Sequence, residues 1–139
     1  MGGPSYYNPA GGFSEEHYHS VGDVIEADGL TGKVIEKNEP GPQNLPFHSG
    51  TSSHYFRMGP DGHIDQMRLY ENRTMKCDFD WGHTHTDKKT GRVFPKGVVH
   101  VQERGPDGKT VSTRMMNNAE MKKYGNFLRA ADPNVKFRP

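Results

Sequence analysis

The chain has 139 residues, with 18 Lys and Arg against 17 Asp and Glu, so its net charge of +1 gives no global basic field of the kind that draws proteins to nucleic acid. This length supports one hydrophobic core, and with 31% hydrophobic residues that core is small. A lone cysteine, Cys77, excludes an internal disulfide and a Cys-rich zinc module, and no run approaches the ~18 apolar residues of a membrane-spanning helix.

Residues 1–20, "MGGPSYYNPAGGFSEEHYHS", set Gly, Pro and Ser between isolated aromatics with no period of 2 or 3.6 and predict a flexible arm, leaving 21–139 as a single domain. Two short β-prone pieces, Asp23–Glu26 and Lys33–Glu36, flank "ADGLTG" and predict a hairpin. "NEPGPQNLP" then reads as a loop, with Pro40, Gly41 and Pro42 breaking all regularity. From Ser53 the pieces "SHYFRM", "HIDQMRLY", "TMKCDFDW", "GVVHVQER" and "KTVSTRMM" are each strand-length and separated by turn residues, which predicts an antiparallel meander. The same Gly-Pro-Asp-Gly turn occurs at Gly59 and Gly105. "GKT" at Gly108 is not a phosphate-binding loop, since Glu103 stands where its first glycine belongs. Asn117 and Glu120 form a capping-box start, Met121, Tyr124, Leu128 and Ala131 share a helical face, and Pro133 stops the helix. The predicted fold class is α+β: a small antiparallel sheet, a meander of about four to six strands, with a C-terminal helix packed on it.

Chemistry concentrates in "DFDWGHTHTDKKTGRVFPKGVVHV", Asp78 to Val101. Strand alternation puts Met75, Cys77, Phe79 and Trp81 on a core face, Cys77 as a small buried thiol, and Lys76, Asp78 and Asp80 on a wet one. If the extended backbone persists past Gly82, His83 and His85 project to one side about 7 Å apart. That spacing suits two ligands of one metal or two groups flanking one phosphate. His100 arrives on the next strand, and the basic "TDKKTGRVFPKG" forms a loop over the histidines. Two chemistries fit. In one, a histidine takes a proton from a ribose 2′-hydroxyl, a second protonates the leaving oxygen, and Lys96, Arg92 or Arg68 stabilises the phosphate charge. In the other, His83, His85 and His100 hold zinc with an open position, and Asp78 or Asp80 orients the ligands. Clustering without a site is the third possibility, since His-x-His is a weak motif that recurs at His17 and His19 in the arm. His48, His54 and His63 stand singly near turns, with His54 a reserve catalytic candidate, while Asp65, Arg73 and Lys76 read as solvated sheet positions.

Residues Tyr55, Asp61, Gly62, Arg68, Tyr70, Asp78, Asp80, His83, His85, Phe94, Pro95 and His100 carry a resemblance, over about a third of the chain, to histidine-rich C-terminal domains of bacterial and prophage polymorphic-toxin proteins. The sheet is similar in outline to barnase-like and colicin-type ribonucleases, although no helical period precedes it. The resemblance implies a toxin-like nuclease acting on RNA or DNA, and joined to the first chemistry above it gives a metal-independent ribonuclease with His83, His85 and His100 central, Lys96 and Arg68 on the phosphate, and no cofactor. It further implies RNA as substrate, an immunity or inhibitor protein as partner, and a soluble protein in the bacterial cytoplasm or exported without a cleaved signal. The alternative is a non-enzymatic phage or secretion-system module with zinc or a structural role at His83, His85 and His100.

Overall fold

The structure, a computed structural model, describes residues 17–50 and 52–139. The expected arm therefore lies outside the described residues up to position 16, and Tyr18–Ser20 form the first strand, β1. The predicted hairpin is present as β2, Ile25–Ala27, and β3, Leu30–Lys37. Asp28 and Gly29 join them, both at positive φ (53° and 80°), the conformation that matches a two-residue hairpin to the twist of its strands.

All five strands expected after Ser53 form: β4 His54–Met58, β5 Ile64–Glu71, β6 Thr74–Asp80, and, after a short insertion, β9 His100–Arg104 and β10 Thr110–Met115. The insertion is a separate two-stranded ribbon, β7 His85–Thr86 with β8 Val93–Phe94. The two Gly-Pro-Asp-Gly turns close in the same way. Gly59 N–H donates to His63 O (2.7 Å) and Gly105 N–H to Lys109 O (2.9 Å), and Asp61 and Asp107 each accept from the backbone two residues on. Gly62 (φ 85°) and Gly108 (φ 82°) supply the left-handed residue that such a turn requires.

The sheet is larger than expected and mixed. Eight strands belong to it, ordered β1-β3-β4-β5-β6-β9-β10 with β2 on β3, and β3 runs parallel to β4. The physical reason is the "NEPGPQNLP" segment. A parallel pair needs a crossover of a dozen or more residues, and the connection from Lys37 to His54 is that long. It crosses one face of the sheet, burying Leu45 with Tyr18, Ile35, Tyr55 and Tyr70.

The other face is covered by α1, Asn118–Ala131, whose Tyr124, Phe127 and Leu128 pack with Val34, Phe56, Met67, Phe79 and Val101. The capping box is formed as expected: Asn117 Oδ1 accepts from the Glu120 N–H (2.8 Å) and Glu120 Oε1 from the Asn117 N–H (3.0 Å). Asn117→Ala is expected to cost about 1 kcal/mol in chemical denaturation, lost from the whole domain because the helix covers the main core. Among the described residues no helix is long and apolar enough to cross a membrane.

Coverage of both faces overturns the expected wet face of β6. Asp78 is 0% exposed and Asp80 5%. Asp65, expected to be solvated, is buried with Arg57 Nε donating to it at 2.9 Å, whereas Lys76 and Arg73 are exposed as expected. Cys77 is the buried thiol that alternation suggested, its pKa pushed up to about 12 by burial and then by the nearby Asp78 and Glu120 charges. Such a thiol is unreactive.

Candidate metal centre

Cross-strand register builds one row on the face away from α1. Arg57 on β4 lies opposite Gln66 on β5, Gln66 opposite Asp80 on β6, and Asp80 opposite His100 on β9. The next row, one side-chain repeat along, is Tyr55, Arg68, Asp78 and Gln102. His83 follows the end of β6 and His85 opens β7, so the ribbon inserted between β6 and β9 folds two histidines back over the end of a strand that carries the third.

The three rings meet. His85 stacks on His100 at 5.2 Å between centroids and 16° between planes, and His83 stands edge-on to His100 at 5.5 Å. Taking one ring nitrogen from each, all three lie within 4.8 Å of one another. Phe94, opposite His85 on β8, closes the side with its ring 5.7 Å from His100. His83 is exposed, His85 half-buried and His100 fully buried, so the cluster runs from solvent into the protein.

His100 is the anomaly. Neither ring nitrogen has a hydrogen-bond partner among the described residues; the backbone of Val98 approaches the ring without reaching good hydrogen-bond geometry. Burial, and then the neighbouring His83 and His85, push its pKa down to about 4. It is a neutral imidazole with a lone pair and no donor to fill it, and each such buried polar atom costs about 1–3 kcal/mol.

Asp80 braces the exposed end. Its Oδ1 lies 3.3 Å from His83 Nδ1 and accepts the Gly82 N–H at 3.0 Å. Burial pushes its carboxyl above the ordinary carboxylate range, against the Gly82 N–H and His83, which hold it down. Gly82 is required here by close approach: a Cβ on it would lie 2.7 Å from Asp65 Cγ and 2.8 Å from Asp65 Cβ. Gly82→Ala is expected to cost about 1–3 kcal/mol by overpacking and to displace the linker that presents His83, read as a lowered melting temperature together with weaker metal uptake.

The other expected site residues are not brought to this cluster. Arg68 is held by Asp78 through Nε (2.6 Å) and Nη2 (3.0 Å), with Nη1 on the Leu45 carbonyl (2.7 Å). Lys96 is exposed and lines a separate cleft of about 240 Å³ with Asp61, His63 and Asp132. Arg92 is nearer, its guanidinium 5.1 Å over the Phe94 ring. His54 is a core histidine, bonded to Thr31 O and packed edge-on against Phe127. His19 pairs with Asn38 and Glu36, and His48 with Thr74. Asp78 is taken by its arginines, which leaves Asp80 of the two acidic candidates beside a histidine.

No family model, curated protein or solved structure matches the chain, so the cluster stands on its own geometry.

Proposed function

We propose that His83, His85 and His100 hold one divalent transition-metal ion of the zinc class, in a three-histidine site with a fourth position open to solvent and substrate, and that the protein is a metal-dependent hydrolase. The observation that carries this reading is His100: a fully buried imidazole whose nitrogens lack partners, with two further histidine donors within 4.8 Å. Zinc–nitrogen bonds of ~2.0–2.1 Å place ligand nitrogens ~3.3 Å apart, a distance reached by modest ring movements from the present spacing. Asp80 Oδ1, 3.3 Å from Nδ1 of His83, is a carboxylate placed to orient that ring as carboxylate partners orient metal-binding histidines. No fourth His, Cys, Asp or Glu joins the set among the described residues, which is the ligand count of catalytic rather than structural zinc. Such a centre supplies a water of lowered pKa and polarises an ester oxygen.

The sequence-based expectation of direct histidine acid/base catalysis has weaker support. It needs a ring that reaches substrate and exchanges protons near neutrality, and His100 is enclosed with its pKa near 4. Cleavage of a phosphoester therefore passes to a metal-held water in this reading.

The test is zinc titration of the metal-free chain, followed by cobalt substitution. One equivalent per chain, with the intense visible absorption of a tetrahedral cobalt site, is expected. Asp80→Asn is expected to keep that stoichiometry and lower affinity by about 10–100-fold. RNA cleavage that stops with chelator and returns with zinc would extend the reading to activity. A chain that takes up no metal, or that cleaves RNA undiminished in chelator, would overturn it.

A further inference from the structure

Beside His83 a cleft of about 420 Å³ opens, lined by Glu36, Gln43, Asn44, Arg57, Gly82 and His83 among others. We infer that this cleft receives the substrate, that Arg57 holds a phosphoryl group in it, and that the substrate class is phosphodiesters. The inference rests on the metal centre proposed above and names what that centre would act on.

Three observations converge on Arg57. First, its place follows from the sheet: it shares a row with Gln66, Asp80 and His100, three strands from the buried histidine, or about 14 Å of backbone at ordinary strand spacing. An extended arginine covers about half of that span, and Asp80 and the exposed ligand His83 occupy the rest.

Second, Arg57 is half committed. Its Nε donates to Asp65 Oδ1 at 2.9 Å, while Nη1 and Nη2 have no partner among the described residues. Asp65 is itself clamped, because both Gly59 and Gly82 press bare Cα atoms against its carboxylate where a Cβ would collide. A clamped carboxylate holding one edge of a guanidinium leaves the other edge aimed and immobilised before any ligand arrives. The terminal fork suits two oxygens of one phosphoryl group, and little side-chain entropy is left to lose on binding.

Third, the charge balance selects the ester. The cleft is lined by one cation, Arg57, and two carboxylates, Glu36 and Asp65, and the proposed ion beside it adds two positive charges. A diester carries one negative charge and neutralises the single positive charge left over, whereas a dianionic monoester would bring its second charge against the carboxylates. On the far side of the histidines, Arg92 over Phe94 and the exposed Lys88 and Lys89 of the β7–β8 turn give a second cationic flank, so a longer polyanion would pass from the cleft across the metal to the ribbon.

The probe is a cleavage-resistant dinucleoside phosphorothioate, titrated calorimetrically into zinc-loaded full-length chain, with zinc stoichiometry measured on every sample. Wild type is expected to bind it, and Arg57→Ala to weaken binding by about tenfold or more with zinc still at one per chain. The double variant Arg57→Ala/Asp65→Asn removes the carboxylate that the single change would strand, so a loss of affinity in a folded, zinc-loaded double variant supports the assignment. Unchanged affinity in both variants overturns the cleft while the metal centre stands. A nucleoside monophosphate that binds more tightly than the diester overturns the substrate class. Failure of wild type to take up zinc removes the metal centre and this inference with it.

Discussion

Asp78→Ala is expected to destabilise the protein by about 3–5 kcal/mol, the loss that follows when one partner of a buried ion pair is removed. Asp78 has no exposed surface, and both its oxygens are engaged: Oδ1 by Arg68 Nε, Oδ2 by Arg68 Nη2 and by Arg104 Nη2. Removing the carboxylate leaves two guanidinium groups under the crossover with their charge uncompensated. Arg68 also donates to the Leu45 carbonyl, so the crossover that covers this face loses an anchor. Urea denaturation of wild type and variant measures the difference, and a loss under about 1 kcal/mol would contradict the account.

The pair also sets a pH dependence. Burial acts to raise the Asp78 pKa, but the charges and hydrogen bonds of Arg68 and Arg104 outweigh it and hold the carboxyl below its ordinary value of 3.8. A group with a depressed folded-state pKa stabilises fully above its unfolded value and loses that contribution as pH falls through the folded one. The advantage of wild type over Asp78→Asn is therefore expected to hold across about pH 5–7 and to shrink only below about pH 4.

The second large effect has two signs. His100→Leu is expected to abolish zinc uptake, from one equivalent to none, while the metal-free chain gains about 1–2 kcal/mol. An apolar side chain of similar volume loses a metal ligand but also removes two buried nitrogens that nothing satisfies. His100 sits against the Phe94 ring and between the rings of His83 and His85, so Leu fills the same enclosed space with one apolar ring beside it. A residue that costs the fold and earns its place only when a ligand arrives is the energetic signature of a site. If the metal-free Leu variant were markedly less stable than wild type, the histidine would be a packing residue and the signature would be absent.

Strands β4, β5, β6, β9 and β10 were legible because each is short, bounded by turn chemistry and rich in β-branched or aromatic residues, whereas the two-residue strands of the β7–β8 ribbon lie in a segment that reads as a loop. The helix was legible for the same local reasons, its capping box and following Pro133. The parallel pairing of β3 with β4 was not, because pairing direction is decided by how a Pro/Gly-rich segment crosses the sheet, and that segment has no period to read. Misreading the crossover as a plain loop also misread Asp78 and Asp80: polar residues alternating with apolar ones signify a wet face only when nothing covers it. Of the site, His83, His85 and His100 were readable from spacing and strand order. Arg68 was readable only as a cation, since its commitment to Asp78 depends on a partner ten residues away in a facing strand. Arg57 carried no signal at all, because its significance comes from Asp65 occupying one edge of its guanidinium and leaving the other bare.

The order of the sheet bears on how the protein assembles. Asp80, His83, His85 and His100 all come from the stretch from β6 to β9, in which the β7–β8 ribbon folds within Trp81–Val99 and shortens the return, whereas β1 and β3 reach β4 only after the crossover is in place. The hairpins β4–β5, β5–β6 and β9–β10 also lie in this half, so the β4–β10 segment can condense first and present its three imidazoles before the N-terminal strands dock. Zinc would then act as a folding ligand of that half as well as its reactive centre, and the amides of β5, β6 and β9 would be the last in the molecule to exchange with solvent.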